Sequence, residues 1–217
     1  MKRILKLTLI ALAAVVACTL WLAFFRVGAP NGIDVSHYNF VNWDAVARNP
    51  NLEFVYIKAT EGARFRDKKF QSHARQARQK GLHVGAYHYF RTGVTSEKQF
   101  ENFSRALDKA DCDLIPMIDV EEDGNDFTNG KQARTRLKTL IRLIEKKYGV
   151  KPIMYYGKAT VVPKVIGATY NCKVWARATG YLKYLLPNFS AKQIGYTRIN
   201  GQTIDLNYCP NISRLMK

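Results

Sequence analysis

Two carboxylates two positions apart close an apolar run in "LIPMIDVEEDGND" (Leu114–Asp126), where Asp119 and Glu121 flank Val120. Side chains alternate along an extended strand, so both acids face one side and Val120 the other. Like charges held this close resist joint ionisation, and partial burial adds to the resistance, so one of the pair keeps its proton to higher pH. A proton donor beside an ionised partner is the equipment of glycosidic-bond cleavage. An apolar strand ending in D-x-E has no structural need of both acids. Glu122, Asp123 and Asp126 read instead as a solvated loop.

Other strand ends repeat the style. "GIDVSHY" places Asp34 near a tip with His37 and Tyr38 after it, and "IDLNY" puts Asp205 in the closing strand. Three strands could therefore aim carboxylates at one pocket. Aromatic faces suit the C–H faces of pyranose rings, and Tyr87 in "GAYHYF", Tyr155 in "PIMYY" and Trp175 in "VWARA" lie at or near strand ends. The expected sugar contacts are Tyr87, Tyr155, Trp175, His37 and His88; with 12 Tyr and 11 Phe in the chain, core packing is the competing use. His73 and His83 read as surface or wall residues. No C-x-x-C or H-x-x-x-H spacing occurs, so no metal site is expected. Two carboxylates and water suffice for glycoside hydrolysis, so no cofactor is expected either.

The elements that must position these groups alternate. "GIDVS" leads to "NWDAVARN", with Asn42 as helix cap; "EFVYIKAT" leads to a basic helix over Phe70–Lys80. "LHVGAYHYF" leads to "TSEKQFENFSRALDKA", where Ser96 and Gln99 have capping-box spacing. "DLIPMIDV" leads to a helix over Lys131–Tyr148, closed by Gly149. Short apolar strands separated by helices predict a parallel sheet with helices outside. The absence of a Gly-rich phosphate loop after the first strand favours a barrel over a dinucleotide fold. "KQIGYTRINGQTIDLNY" turns about Asn200-Gly201, a two-residue hairpin signal, so the barrel should end in antiparallel strands.

The chain has 217 residues, with 34 basic and 17 acidic side chains for a net charge of +17. The length suits one domain, residues 31–217, after a distinct leader, residues 1–30. In the leader Lys2, Arg3 and Lys6 precede an uncharged run from Leu7 to Phe25. As a helix that run reaches roughly 28 Å, close to a bilayer's hydrocarbon thickness. It is longer than a signal peptide's apolar region, so an uncleaved transmembrane helix is expected to meet the cytoplasmic membrane through residues 4–25. The positive flank places the domain on the outer side, periplasm or cell wall. Export makes nucleic acid an unexpected partner despite the charge and points the basic faces toward anionic envelope polymers. It also permits a disulfide among Cys112, Cys172 and Cys209; Cys172–Cys209 is the expected pair, since both adjoin the last strands.

"GIDVSHYNFVNWDAV", "FVYIKATEGARFRDKKF", "GLHVGAYHYF", "IPMIDVEE", "KPIMYYG" and "IDLNY", in that order from Gly32 to Tyr208, resemble glycoside hydrolase family 25, the Chalaropsis-type lysozymes. The resemblance implies an irregular, TIM-like β/α barrel of eight strands. It implies an N-acetylmuramidase that cuts the β-1,4 bond between N-acetylmuramic acid and N-acetylglucosamine in peptidoglycan glycan strands. It also implies Glu121 as general acid, Asp119 stabilising the cationic sugar or orienting its acetamido group, and Asp34 and Asp205 shaping the pocket's charge. Net retention with acetamido participation is the expected course. This chain departs from the family at "VWARATG", where Arg177 stands, and at "QIGYT". A non-catalytic peptidoglycan-binding module, a glycosidase for another amino-sugar polymer such as chitin, and an envelope scaffold using the basic faces are the alternatives. Tethering would suit local wall cutting for an envelope-spanning assembly.

Overall fold

The computed structural model describes residues 28–158, 165–168, 171–177, 190–199 and 201–217, together with Lys6, Thr8 and residues 10–17. Eight strands close a barrel: β1 (Gly32–Val35), β2 (Phe54–Glu61), β4 (His83–Tyr89), β5 (Met117–Val120), β6 (Ile153–Tyr156), β7 (Val174–Arg177), β8 (Ala191–Ile199) and β9 (Gln202–Tyr208). A two-residue strand, β3 (Phe65–Arg66), folds back antiparallel onto β2 outside the ring. Successive strands from β1 to β8 are parallel, and β9 runs antiparallel to both β8 and β1 as it closes the ring. The irregular barrel with an antiparallel end is thus present, and one reversed strand supplies the irregularity.

Among the described residues, four α-helices lie against the outside of the barrel: α1 (Trp43–Ala47), α2 (Phe70–Gln79), α3 (Ser96–Leu107) and α4 (Gly130–Tyr148). Asn42 caps α1 by accepting from the Ala45 amide at 3.0 Å. Gly149 ends α4 in the left-handed region, φ 72°, where its amide reaches the Glu145 carbonyl. The Ser96–Gln99 capping box does not form. Thr95 is the N-cap of α3, Ser96 Oγ donates to the Arg136 carbonyl on α4, and Gln99 turns into the protein to hold Arg91. Tertiary partners outcompete the local cap. The hairpin between β8 and β9 has Gly201 at φ 77°; Asn200 lies outside the described residues.

Strand alternation divides the core in two. Ile33, Val55, Ile57, Val84, Ile118 and Val120 face the helices and pack with Phe103, Leu137 and Leu140. Phe54, Tyr56, Ile115, Met117, Ile153 and Trp175 fill the barrel's inside. The rings of Phe54, Tyr56 and Trp175 meet edge to face at 5.1–6.4 Å, an arrangement their quadrupoles favour. Their bulk needs two glycines: a Cβ on Gly32 would come within 2.1 Å of the Phe54 ring, and one on Gly85 within 2.3 Å of Tyr56. Tyr56 Oη donates to the Ile115 carbonyl at 2.9 Å, so the buried hydroxyl is satisfied.

Two expectations fare differently. Cys112, Cys172 and Cys209 are free thiols, and the Cys172–Cys209 disulfide is absent. Cys209 packs inside the barrel, with Sγ 3.2 Å from the Ser190 carbonyl, whereas Cys172 packs on the helix side. The sheet separates them. Among the described residues no helix is long and apolar enough to cross a membrane. Residues 10–17 are helical, with Ile10, Leu12, Val15 and Val16 exposed, but eight residues span only about 12 Å. The rest of the expected transmembrane segment, residues 4–25, lies outside the described residues apart from Lys6 and Thr8, so the structure lends that expectation no support.

Candidate active site

Asp34 from β1, Asp119 and Glu121 from the end of β5, and Asp205 from β9 line one cavity of about 260 Å³. Val120 between the acids packs in the helix-side core, as strand alternation requires. Asp34 and Asp205 are opposite one another in the β1–β9 ladder. Asp34 Oδ2 accepts from Asn207 Nδ2 at 2.8 Å, and Asn207 Oδ1 is buried without a hydrogen-bond partner. The Tyr155 hydroxyl donates to Gln193 Oε1, and the Gln193 side chain in turn hydrogen-bonds Asp205. Asp119 is buried and its Oδ1 has no partner.

Crowding four acids into one half-dry cavity opposes their ionisation. Burial, then the neighbouring Asp205, push Asp34 up to about 7, against the Asn207 hydrogen bond. Burial, with Glu121 and Asp34 nearby, drives Asp119 well above the usual carboxylate range. Glu121 is also raised, chiefly by burial, while Arg177 pulls it down; Asp205 follows the same pattern. These groups exchange protons as a set, and their ionisations belong to the cluster.

The rim is built from charge and aromatic rings. Lys58 lies on β2 with its Nζ 2.7 Å from Glu61 Oε2. A bulge between Lys58 and Thr60 makes this possible, because residues three apart on a regular strand face opposite sides. Glu61 Oε1 takes Arg91 Nε at 2.9 Å and Nη2 at 2.5 Å. Burial alone would raise Glu61, but these two cations hold it below the ordinary range. Arg91 Nη1 and Tyr89 Oη both donate to the Asp123 carbonyl, at 2.8 and 3.0 Å, which ties the acidic loop to the rim. A Cβ on Gly157, just past β6, would lie 2.6 Å from Glu121 Cδ, so glycine leaves the bay that Glu121 occupies.

Of the expected site residues, Asp34, Asp119, Glu121, Asp205, Tyr87, Tyr155 and Trp175 all line this cavity. Trp175, 1% exposed, forms its floor. The two histidines do not. His37 sits beside the mouth, its amide and Nδ1 directed at Asp67 Oδ2 and its ring tilted 38° against Tyr38 with centroids 3.9 Å apart. His88 is a correction: it alternates with Tyr87 and Tyr89, which face the cavity, and so points to the helices, where Thr60 Oγ1 at 2.8 Å and Gln99 Oε1 at 3.1 Å take its nitrogens. Fully buried, its ring is pushed down to about 4 by desolvation and stays neutral in the core. Sequence reasoning misses Lys58, Gln193 and Gly157. A lysine inside the apolar run "FVYIKAT" was the available signal, since an unpaired Lys is almost never buried. Among the described residues no cluster of three or more His, Cys, Asp or Glu is arranged to hold a metal ion.

The family model described as glycosyl hydrolases family 25 matches residues 33–181. Escherichia coli K12 YegX is 36% identical over 132 residues, covering 58% of this chain and 48% of YegX. Lysozyme M1 of Streptomyces globisporus is 29% identical over 122 residues, 54% of this chain and 41% of that protein. The chain thus spans about half the length of the curated relatives it matches. Among solved structures, a family 25 glycosyl hydrolase from Bacillus anthracis superposes with a TM-score of 0.71 at 29% identity, covering 85% of this chain and 89% of that one. The bacterial lysozyme from Streptomyces coelicolor superposes with a TM-score of 0.73 at 22% identity, over 87% and 95% of the two chains, and so speaks to the fold.

Proposed function

The chain belongs to the glycosyl hydrolases of family 25, and from that premise we propose that it is a peptidoglycan hydrolase. On this reading it is an N-acetylmuramidase that cuts the β-1,4 bond between N-acetylmuramic acid and N-acetylglucosamine. The supporting observation is the convergence of Asp34, Asp119, Glu121 and Asp205 from three strands on one cavity lined by tyrosines. Glu121 is the general acid. It is more exposed than Asp119, and burial raises it so that it holds its proton longer, against the opposing pull of Arg177. Asp119, deeper in the cavity, stabilises positive charge at the sugar or orients the acetamido group, whose oxygen serves as internal nucleophile with net retention. Asp34 and Asp205 set the field, and Tyr87 and Tyr155 carry sugar faces over the Trp175 floor.

The uncharged run Leu7–Phe25 supports a further element of the proposal, tethering at the outer face of the cytoplasmic membrane. Cutting would then be confined to nearby wall, as passage of an envelope-spanning assembly requires.

The test is digestion of purified sacculi with mass analysis of the fragments. The expected products end in reducing N-acetylmuramic acid, and Glu121→Gln, nearly isosteric but unable to give up a proton, should yield none while unfolding at the wild-type temperature. Wild-type clearing by Glu121→Gln would remove Glu121 as the acid. Products ending in reducing N-acetylglucosamine, or no new reducing ends from the wild type, would overturn the function.

A further inference from the structure

Lys58 is 9% exposed and lies on a strand between apolar neighbours, a position that costs a lysine its hydration unless something replaces it. Three groups do. Glu61 Oε2 accepts from Nζ at 2.7 Å, the Tyr89 ring lies 4.8 Å from Nζ, and the Phe65 ring lies 5.3 Å away. Aromatic faces attract cations, more so when desolvated. Tyr89 takes a second cation, Arg91, at 4.7 Å. Glu61 is shared between Lys58 and Arg91, one oxygen for each, so the trio as a whole keeps one positive charge. The β2 bulge and the short β3 hairpin that carries Phe65 exist at this spot and hold the ammonium in place.

That ammonium lines the same cavity as Asp119. The charged and titratable groups acting on Asp119 come from every adjoining strand. They are Glu121 on its own segment, Asp34 from β1, Lys58 and Glu61 from β2, Tyr87 and Tyr89 from β4, and Tyr155 from β6. Lys58 is the cation in that set; Arg177 and Asp205 also line the cavity, where Arg177 acts on Glu121 and Asp205. Burial and three carboxylates otherwise favour a neutral Asp119, and a neutral Asp119 cannot stabilise a cationic sugar.

We propose that Lys58 is a positioning residue whose fixed ammonium lets Asp119 ionise beside a protonated Glu121. Glu61 and Arg91 serve by fixing Lys58. This deepens the muramidase reading and rests on it for its catalytic meaning, but the ionisation of Asp119 can be read without any substrate. Carbon-13 labelling of aspartate, with the Asp119 signal assigned through Asp119→Asn, gives the titration of that carboxyl directly. Lys58→Met keeps length and removes charge; Lys58→Gln also removes it but can still donate to Glu61; Lys58→Arg restores it. Both neutral variants should raise the Asp119 midpoint by about one pH unit or more. They should move the acidic limb of the kcat profile on sacculi upward in step, with Lys58→Arg close to wild type.

An Asp119 midpoint unmoved in a folded neutral variant overturns the proposal. If neither neutral variant folds, the wild type decides: Asp119 must lose its proton within the pH range of activity or of native fold, and a carboxyl protonated throughout that range overturns it. A wild type that releases no reducing ends would instead sink the proposed function, leaving the titration to decide the role of Lys58.

Discussion

Asp34→Asn should stabilise the protein above neutral pH. Asp34 is half-buried at the β1–β9 seam, and desolvation with Asp205 nearby raises it from 3.8 to about 7. A carboxyl whose folded value exceeds its unfolded one binds a proton more tightly when folded. Its contribution to stability is therefore complete below 3.8 and is lost as pH rises through 7. At about 1.4 kcal/mol per unit the total loss is roughly 4 kcal/mol, and about 2.5 kcal/mol of it falls between pH 5 and 8. Asparagine has no proton to lose, and its amide oxygen can still accept from Asn207 Nδ2. The variant should thus gain on the wild type by about 2.5 kcal/mol across that interval, or roughly 5–10 °C in Tm. Urea unfolding of both proteins at pH 5, 6, 7 and 8 measures the gap. A gap constant to within about 0.5 kcal/mol over those four points would refute the reasoning, since no proton would then be linked to Asp34 in that range. The same substitution should lower activity on sacculi, because a carboxyl leaves the cavity; stability given up for function is the expected pattern at such sites.

Two further outcomes follow from the cavity's walls. Gly157→Ala sets a Cβ 2.6 Å from Glu121 Cδ, and the flexible glutamate should yield rather than the backbone. The fold should persist with a Tm close to wild type while kcat falls about 10- to 100-fold, since small misplacements of a catalytic group are costly; unchanged kcat would mean that Glu121 does not need this bay. Arg177→Met removes the cation that pulls Glu121 and Asp205 downward, so both should hold protons to higher pH. The basic limb of the kcat profile should shift up by about half to one unit, and because Arg177 is exposed the difference should shrink in high salt.

Much of the site was legible because period-two alternation is a local property. Asp119-Val120-Glu121 at the end of an apolar run dictates two inward acids and one outward valine, whatever surrounds them. The cap at Asn42, the stop at Gly149 and the turn at Gly201 are equally local, fixed by one side chain or one backbone conformation. Which residues share a cavity is not local. Alternation along "GAYHYF" already turns His88, between the cavity-facing Tyr87 and Tyr89, into the helix layer. The β2 bulge brought Glu61 round to Lys58, and no alternation rule applied along "FVYIKAT" announces a slipped register. The capping box failed for a related reason, because Gln99 found buried partners worth more than a helix end. The cysteines nearest the last strands fell on opposite faces of the sheet, which chain proximity cannot reveal. Sequence determined the strand ends and the acids on them. Closure of the barrel decided how near those acids come, how dry they are and which cation each one feels, because desolvation and Coulomb attraction depend on distances that exist only after distant strands have paired.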